Sequence, residues 1–437
     1  MTTLTPENLT VATLGKCVYK SPLNLHARGL AANQFVPDEA RVRYFVDLRS
    51  SKSPTYDPLF EKAGPREHLF FKPEDVRAAI VTCGGLCPGL NNVVRSVFLA
   101  LYHNYGVKTL LGIRYGYEGF NPAFNHPQIS ITTDFIEHIQ EEGGSVLGTS
   151  RGPQPASVIV DFLVSKAINI LFCVGGDGTQ RGAHSICEEI KKRGLPISVI
   201  GIPKTIDNDI MYVERTFGLS TAVEEAQKIL DCAHNEAHGT INGVGLVKVM
   251  GRESGFIAAE AALSNQEVNF VLIPEVPFAL DGERGFLNYL RKRLAARAHA
   301  VVIVAEGAGQ DLMQSQNQTK DASGNVKFAD IGIFLKDRIN THFKDIHVPV
   351  NVKYFDPSYA IRSVPANCDD SVLCDRLARN AVHAAMAGKT DTLIGYWNNS
   401  FTHVPISLAT SAKKRIDPQG ELWMSVLAAT GQQSEMV

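Results

Sequence analysis

Strand-like apolar runs alternate along the chain with segments whose apolar residues recur at helical spacing. The runs cover residues 78–83, 107–113, 168–174 and 197–202, and a helical segment at 92–102 separates the first two. Each run has the length of a buried strand rather than that of a helix. Strands that alternate with helices predict βαβ units around a parallel sheet, where ligands bind beyond the carboxyl ends of the strands.

A second alternating set follows residue 218 and predicts a second α/β domain. Its strand-like runs lie at 243–251, 269–273 and 300–307, with helical segments between them. The residues before 77 are rich in Pro, Asn, Ser and charge, and they predict an extension that wraps a core. The predicted divisions are therefore an N-terminal extension, two α/β domains and a C-terminal segment that returns to the core, at residues 1–76, 77–218, 219–361 and 362–437.

One strand-like run ends in Gly175-Gly-Asp177-Gly-Thr179 before a helical segment. Glycines let backbone N–H groups approach an anion, and the helix N-terminus that follows favours negative charge. Asp177 adds a carboxylate suited to a divalent cation. The loop predicts a phosphorylated ligand with magnesium, although lipid and nicotinamide-nucleotide kinases use similar loops and a glycine turn can be purely structural. The polar stretch 309–325 predicts a surface loop beside Glu306, with a lid as the alternative.

Composition and charge narrow the classes of function. The chain has 437 residues, 44% of them hydrophobic, which is typical of a globular protein of two or three domains. A formal net charge of −2 and a pI near 6.7 give no argument for nucleic-acid or membrane binding. The eight cysteines lack zinc-ligand spacing and are expected to be reduced thiols. Without a signal or membrane segment in the sequence, the cytoplasm is the expected location.

An ordered set of loops follows the successive strands. In chain order the loops are Gly84-Gly-x-x-Pro-Gly-x-Asn91, Gly175-Gly-Asp-Gly-Thr179, Pro203-Lys-Thr-Ile-Asp-Asn-Asp209, Met250-Gly-Arg252, Ala305-Glu-Gly307 and Tyr359-x-x-Arg362. This set resembles the 6-phosphofructokinase family over about residues 78–400, and Pro-Lys-Thr-Ile-Asp-Asn-Asp is its most specific part. The extension, Lys204 and Tyr359 are similar to the longer branch that includes plant and trypanosomatid ATP-dependent enzymes.

The resemblance implies two Rossmann-like parallel-sheet domains with the active site in the cleft between them. The domain at 77–218 would bind the nucleotide and that at 219–361 the sugar phosphate. The implied activity is ATP-dependent phosphorylation of fructose 6-phosphate at its 1-hydroxyl, giving fructose 1,6-bisphosphate in glycolysis, with Mg²⁺ as cofactor. A homo-oligomer is also implied, either a dimer or a tetramer.

Donor and catalytic residues are expected at the glycine loops and at Pro203–Asp209. The resemblance assigns ATP to Gly85, Arg151, Gly152, Gly176, Asp177, Gly178 and Thr179, with magnesium on Asp177. Transfer to a hydroxyl requires a carboxylate within hydrogen-bond reach of it, and Asp207 is the candidate base. Thr205 would lie close to the transferred phosphoryl group, and Lys204 would supply a positive charge.

The 6-phosphate of the acceptor requires fixed cationic groups, which Arg252 and Arg362 can provide. The resemblance surrounds the sugar phosphate with Thr205, Ile206, Asp207, Met250, Gly251, Arg252, Glu306, Lys353, Tyr359 and Arg362. A basic residue at the Lys353 position reaches in from a neighbouring subunit in the family. Shorter members also bring an arginine across the interface, at the position that is Gly243 here. Asn242 or another group is expected to replace it.

Gly178 and Lys204 point to different phosphoryl donors. Pyrophosphate-dependent members carry Asp at the Gly178 position, in the region that the α-phosphate of ATP needs, and Lys at the Lys204 position. Pyrophosphate-dependent fructose-6-phosphate 1-phosphotransferase is therefore the alternative. Gly178 has the greater weight, because Asp there would exclude ATP, whereas Lys can stabilise transfer from either donor. A silent sugar-phosphate-binding regulatory subunit is disfavoured, because Asp177, Asp207 and Arg252 are all present.

Overall fold

The computed structural model describes residues 4–25, 34–47, 57–313 and 327–436. The chain forms two compact units. The first consists of Met1–Thr205, Ile210–Gly218 and Val364–Lys413, and the second of Ile206–Asp209, Leu219–Ser363 and Lys414–Val437. The predicted loop or lid at 309–325 is described only as far as Met313, and its remainder lies outside the described residues.

Within the described residues, a nine-stranded sheet forms the centre of the first unit. Its central strands run parallel and its outer strands antiparallel. In spatial order the strands are Arg41–Arg43, Leu59–Lys62, Ser400–Pro405, Thr392–Trp397, Ser198–Pro203, Ile170–Gly175, Arg77–Thr82, Thr109–Ile113 and Ile129–Ser130. Two central strands, Ile170–Gly175 and Ser198–Pro203, are buried along their whole length, as continuous apolar runs are in a sheet covered on both faces.

Helices of the first unit follow the central strands. The α-helices are Leu90–Leu99, Ala156–Ser165, Asp177–Lys192, Cys368–Met386 and Ile406–Ala409, a π-helical turn at Ala100–Tyr105 continues the first of these, and 3₁₀ turns lie at Pro73–Asp75, Gly116–Phe120, Pro122–Phe124 and Ile139–Glu141. The Asp177–Lys192 helix has Asp177 in its first turn and Lys191 and Lys192 in its last. This charge order matches the helix dipole.

Residues of the predicted N-terminal extension belong to the first unit. The strands Arg41–Arg43 and Leu59–Lys62 extend one edge of its sheet. Short ladders pair Ala12–Thr13 with Lys389–Thr390 and Tyr19–Lys20 with His68–Leu69.

A buried carboxylate anchors this extension. Glu61 is 8% exposed, and its Oε1 atom accepts hydrogen bonds from Arg66, Lys389 and His403 at 3.1, 2.8 and 3.0 Å. Burial alone raises the pKa of the Glu61 carboxyl, but the hydrogen bonds from His403 and Lys389 outweigh it and lower the pKa to about 2. The extension is thereby fixed to strands from the C-terminal part of the chain.

A parallel four-stranded sheet forms the centre of the second unit. In spatial order the described strands are Phe270–Leu272, His299–Ala305, Gly243–Val249 and Asn351–Phe355. The α-helices are Leu219–His238, Phe256–Asn265, Phe286–Arg297, Ile331–Asp345 and Glu421–Thr430, with 3₁₀ turns at Gln310–Leu312 and Ala360–Arg362. No helix in the described part of the chain is long and apolar enough to cross a membrane.

The C-terminal segment is divided between the two units. Val364–Lys413 belongs to the first, where it supplies the Cys368–Met386 helix and strands of the sheet, and Lys414–Val437 belongs to the second. The sequence predicts that this segment returns to the core but does not indicate this division.

Candidate active site

The loop between the strand Ile170–Gly175 and the helix Asp177–Lys192 is shaped for an anion. It ends at a helix N-terminus, where unpaired N–H groups favour negative charge. A Cβ atom on Gly175 would overlap the side chain of Thr179, because the chain folds back tightly there. The predicted strand, loop and helix are confirmed.

The Asp177 carboxylate is oriented by an arginine one turn farther along the helix. Arg181 Nε donates to Asp177 Oδ2 at 3.0 Å, and Arg181 also donates to the Thr410 carbonyl at 2.9 Å. The Asp177 side chain remains 20% exposed. A carboxylate oxygen at an anion-binding helix terminus fits Mg²⁺, which takes one or two protein carboxylates and fills its remaining positions with phosphate oxygens and water.

The described residues include one cluster of three potential metal ligands, two of them on this helix and the third just before the strand Thr392–Trp397. His184, Glu188 and Asp391 each place a ligand atom within 4.8 Å of the others. His184 Nδ1 lies 2.9 Å from both Asp391 oxygens. This hydrogen bond between the helix and the start of a strand accounts for the cluster without an ion, so Asp177 remains the candidate for magnesium.

Lys204 joins the two glycine loops of the first unit. Its Nζ atom donates to the Gly85 carbonyl at 2.6 Å, and its backbone N–H donates to the Gly175 carbonyl at 3.1 Å. The backbone N–H of Cys83 donates to Val174 at 2.9 Å, so the strands before the two loops also end side by side. Lys204 is only 5% exposed. The structure therefore brings a buried positive charge to the predicted donor loops.

The segment with Arg151 lies beside the first glycine loop. Gly84 N–H donates to the Ser150 carbonyl at 3.1 Å, and the Thr149 hydroxyl donates to the Gly84 carbonyl. Arg151 is exposed, and Gly152 has a φ of 111°, which favours glycine. The predicted donor residues of this segment are thus adjacent to the loop that Lys204 contacts.

Gly178 has open space where a side chain would lie. It stands in the first turn of the Asp177–Lys192 helix, and a Cβ atom built on it meets no atom within 4 Å. Its backbone is helical, a conformation that any L-residue can adopt. Packing therefore does not require glycine at this position.

The motif of residues 203–209 contributes to both compact units. Thr205 ends a segment of the first unit, and Ile206 begins a segment of the second. Within the second unit, the Ser254 hydroxyl donates to the Asp207 carbonyl at 2.7 Å. The backbone of the predicted base is therefore tied to the residues that follow the Met-Gly-Arg loop.

Two predicted acceptor loops lie against each other in the second unit. Glu306 N–H donates to the Val249 carbonyl at 2.9 Å, and Gly307 N–H donates to the Gly251 carbonyl at 3.0 Å. A Cβ atom on Gly307 would overlap the carbonyl of Arg252, so this approach requires glycine. The predicted acceptor residues Arg252 and Glu306 are brought together in this way.

Glu306 is a half-buried carboxyl group among cations. Burial raises its pKa above the ordinary value, while the nearby charges of Arg252, Lys248 and Arg362 act in the opposite direction without cancelling the rise. Because such charge effects require proximity, Arg362 also belongs to the group around Glu306. Two guanidinium groups and one carboxyl group can bind a phosphate ester and a sugar hydroxyl respectively.

Both arginines are supported by aromatic rings. The Arg252 guanidinium carbon lies 4.1 Å from the centre of the Phe328 ring, and that of Arg362 lies 4.9 Å from the centre of the Tyr359 ring. Cation–π contacts of this length restrict the conformations of a long side chain. The Tyr359 side chain itself is largely exposed.

Lys353 lies in the edge strand Asn351–Phe355, and its side chain approaches the helix Leu219–His238. Its Nζ atom is 3.9 Å from Glu236, and both residues line a shallow cavity of about 520 Å³, together with Cys232, Asn235, Tyr354 and Phe355. The role of Lys353 in a neighbouring subunit stays a prediction.

Gly243 has no room for the arginine of the shorter enzymes. A Cβ atom there would overlap the Ala237 carbonyl and lie 2.5 Å from the Thr240 hydroxyl. Asn242 has a φ of 48°, and its side chain donates to the Pro349 carbonyl at 2.8 Å. The Asn242 amide is therefore engaged in the turn of its own chain, and its role in place of the cross-subunit arginine stays a prediction.

Sequence reasoning missed Lys248, which lies in the strand Gly243–Val249 and is 9% exposed. Its Nζ atom lies 2.7 Å from Asp330 Oδ2 and 2.8 Å from Asp356 Oδ2. A lysine inside an apolar strand is a readable signal, because a buried charge requires a partner. The partners themselves lie far away in the sequence.

Comparison with known proteins gives a consistent result. The profile of the family described as "Phosphofructokinase" matches residues 77–385. An "ATP-dependent 6-phosphofructokinase" of Borreliella burgdorferi is 47% identical over 439 aligned residues, covering 98% of each chain. The Arabidopsis thaliana "ATP-dependent 6-phosphofructokinase 5, chloroplastic" is 46% identical, covering 85% of this chain and 68% of its own.

A solved structure shares the fold. The pyrophosphate-dependent phosphofructokinase of Marinobacter aquaeolei superposes with a TM-score of 0.67, covering 81% of this chain and 91% of its own. Sequence identity is 19%, so this likeness concerns the fold alone.

Proposed function

The chain belongs to the phosphofructokinase family, and we propose that it is an ATP-dependent 6-phosphofructokinase. The reaction transfers the γ-phosphoryl group of ATP to the 1-hydroxyl of fructose 6-phosphate, giving ADP and fructose 1,6-bisphosphate. Relatives that bear this name align with nearly the whole chain. The observation that carries the choice of ATP is Gly178, where no side chain stands in the donor loop.

The first unit provides the donor groups in this proposal. The N–H groups of the first turn of the Asp177–Lys192 helix face the phosphates, and Lys204 adds a buried positive charge. Asp177, oriented by Arg181, would hold magnesium. Bound with the donor, the cation neutralises charge on the β- and γ-phosphates.

The second unit provides the acceptor groups. Arg252 and Arg362 bind the 6-phosphate, and Glu306 accepts hydrogen bonds from sugar hydroxyls when it is ionised. Asp207 takes the proton of the 1-hydroxyl as the new O–P bond forms, and the electron pair of the broken bond leaves with ADP. Because the Ser254 hydroxyl holds the Asp207 backbone, the base keeps a fixed position relative to the Met-Gly-Arg loop.

Pyrophosphate is the second candidate donor, and Lys204 is the residue that favours it. The Lys204 ammonium donates a hydrogen bond to the Gly85 carbonyl at 2.6 Å. From this position its positive charge can stabilise the phosphates of either donor. Gly178 leaves room for the α-phosphate of ATP, which an Asp at this position would exclude. Relatives that align with nearly the whole chain are named as ATP-dependent enzymes, and we therefore favour ATP.

A coupled assay on the purified full chain tests the proposal. Fructose 6-phosphate and magnesium are supplied with either ATP or pyrophosphate, and fructose 1,6-bisphosphate is measured. We expect turnover with ATP and little with pyrophosphate. Turnover only with pyrophosphate would reverse the donor assignment, and sugar-phosphate binding without any turnover would indicate a silent regulatory subunit.

The assembly and the location stay proposals. We propose a homo-oligomer, dimeric or tetrameric, in which Lys353 serves a neighbouring subunit, and sedimentation velocity would measure the mass. A cytoplasmic location stays the expectation from the sequence. The name of one similar Arabidopsis protein places that relative in the chloroplast, so fractionation of the source cells is needed.

A further inference from the structure

Lys248 is a buried charge whose position in the strand Gly243–Val249 has no evident use in packing. The residues on either side, Val247 and Val249, are completely buried and apolar. A lysine here must leave water, and that cost is recovered only through close ionic partners. Apolar residues of similar size commonly stabilise such sites at least as well as buried ion pairs do. The lysine is therefore better explained by what it positions than by the stability of the strand.

Lys248 bridges two carboxylates from separate parts of the second unit. Its Nζ atom lies 2.7 Å from Asp330 Oδ2 and 2.8 Å from Asp356 Oδ2. Burial lowers the pKa of Lys248, but the hydrogen bonds to Asp330 and Asp356 outweigh it and raise the pKa above the ordinary value. The ammonium group therefore stays charged and keeps both contacts.

Asp330 connects this bridge to Arg252. Its Oδ1 atom accepts from Ile333 N–H at 3.1 Å, which caps the helix Ile331–Asp345, and from the Tyr354 hydroxyl at 3.0 Å. Asp330 thus fixes the start of the helix, and Phe328, whose ring lies under the Arg252 guanidinium, stands only two residues earlier.

Asp356 connects the bridge to Arg362. Its Oδ1 atom accepts from the Ser358 N–H at 3.3 Å and from the Ser358 hydroxyl, which forms a side-chain turn at the start of the loop. The same loop then carries Tyr359 and the Arg362 that stacks on it. Both oxygens of each carboxylate are thus used, one for Lys248 and the other for a neighbouring segment. The Asp330 segment carries the Phe328 ring that stacks on Arg252, and the Asp356 segment carries Arg362 itself.

We propose that Lys248 is a positioning residue that holds Arg252 and Arg362 at the spacing required by the 6-phosphate of the acceptor. It touches neither the sugar nor the reacting atoms and acts through Asp330 and Asp356. Lys248 therefore determines affinity for the sugar phosphate and not for the donor. This inference rests on the proposed function of the same site.

The test measures binding and steady-state kinetics on the full chain with K248M, K248R, D356N and the control K228M. Lys228 is an exposed surface lysine whose Nζ atom lies 2.6 Å from Glu225. K228M therefore makes the same Lys-to-Met change as K248M but leaves the Lys248 bridge intact. Fructose 6-phosphate binding is measured by calorimetry without nucleotide, and the KM values for both substrates follow from turnover. Urea unfolding identifies the variants that fold.

We expect K248M to weaken fructose 6-phosphate binding, and raise its KM, by about tenfold or more, with the KM for ATP within about twofold of wild type. K248R should recover most of the affinity, because it keeps the charge and its planar fork can contact both carboxylates. D356N should show a smaller defect of the same kind, and K228M should behave as wild type.

The outcomes separate this inference from the function on which it rests. A wild-type chain that neither binds nor phosphorylates fructose 6-phosphate overturns both. An active wild type with unchanged sugar-phosphate affinity in folded K248M overturns the positioning role alone. If K248M does not fold, the fructose 6-phosphate affinity of folded D356N decides the positioning role in the same way. If neither variant folds, the bridge serves stability, and the proposal is overturned.

Discussion

Gly178→Asp is the substitution that most directly probes the donor site. Gly178 lies in the first turn of the Asp177–Lys192 helix, and a Cβ atom there meets nothing within 4 Å. A new carboxylate can therefore be accommodated without displacing a neighbour. An acidic residue in the first helical turn also matches the helix dipole, a favourable term of about 0.3–1 kcal/mol. We expect the variant to fold with unchanged or slightly higher stability.

Its effect on ATP should be electrostatic. For a carboxylate about 4 Å from a phosphate oxygen, at an effective dielectric of about 20, the repulsion is roughly 4 kcal/mol. That energy corresponds to about a thousandfold in binding. Because Gly178 is exposed, salt screening reduces the repulsion. We therefore expect the KM for ATP to rise by about 100- to 1000-fold.

The assay compares Gly178→Asp with Gly178→Asn and Gly178→Ala at saturating fructose 6-phosphate. Asparagine has the shape of aspartate without its charge, and alanine tests the Cβ atom alone. We expect the asparagine and alanine variants to remain within about tenfold of wild type. An aspartate variant that saturates normally with ATP refutes the whole account. An asparagine variant as impaired as aspartate refutes its electrostatic part.

Three further predictions concern the base, the extension and a crowded glycine. Asp207→Ala should lower turnover by about two to four orders of magnitude, with calorimetry showing nearly unchanged fructose 6-phosphate affinity; unchanged turnover would exclude the base role. Glu61→Gln should lose about 3 kcal/mol of folding free energy at pH 7, from a pKa held at about 2 against 4.5 when unfolded. Since the native pKa is the lower one, this stabilisation is complete above pH 4.5 and disappears as the pH falls toward 2, so urea unfolding of the variant should depend less on pH there. Gly243→Ala should destabilise by about 1–3 kcal/mol, because its Cβ would overlap the Ala237 carbonyl, and a thermal midpoint equal to that of Gly178→Ala would contradict this.

Local signals in the sequence were sufficient to predict the secondary-structure elements and the loops that connect neighbouring elements along the chain. The strand Ile170–Gly175, its glycine loop and the following helix are all visible as apolar run, turn residues and helical period. The same holds for the parallel sheet of the second unit. Sheet membership of the C-terminal segment was not predictable, because an amphipathic helix or strand does not specify the sheet on which it packs.

Interactions between distant residues account for what the sequence did not reveal. Asp330 lies 82 residues beyond Lys248, and Asp356 lies farther still. Nothing local marks either aspartate as the partner of a buried lysine, since an aspartate before a helix or a turn is expected for capping alone. The contact between Arg181 and Asp177 was easier to predict from the sequence, because residues four apart on a helix lie on the same face.

Three glycines differ in whether packing requires the absence of a side chain. At Gly307 and Gly243 an added Cβ atom would overlap a backbone carbonyl, so the missing side chain is imposed by packing. At Gly178 a Cβ atom would meet nothing within 4 Å, so packing does not require the missing side chain, and the proposed function attributes it to ATP binding. Packing glycines cannot change without a loss of stability, whereas Gly178 can take a charge while the fold remains. If Gly178 sets the donor as proposed, donor preference depends on a position that stability does not constrain, and one fold could use either donor through a change in a single side chain.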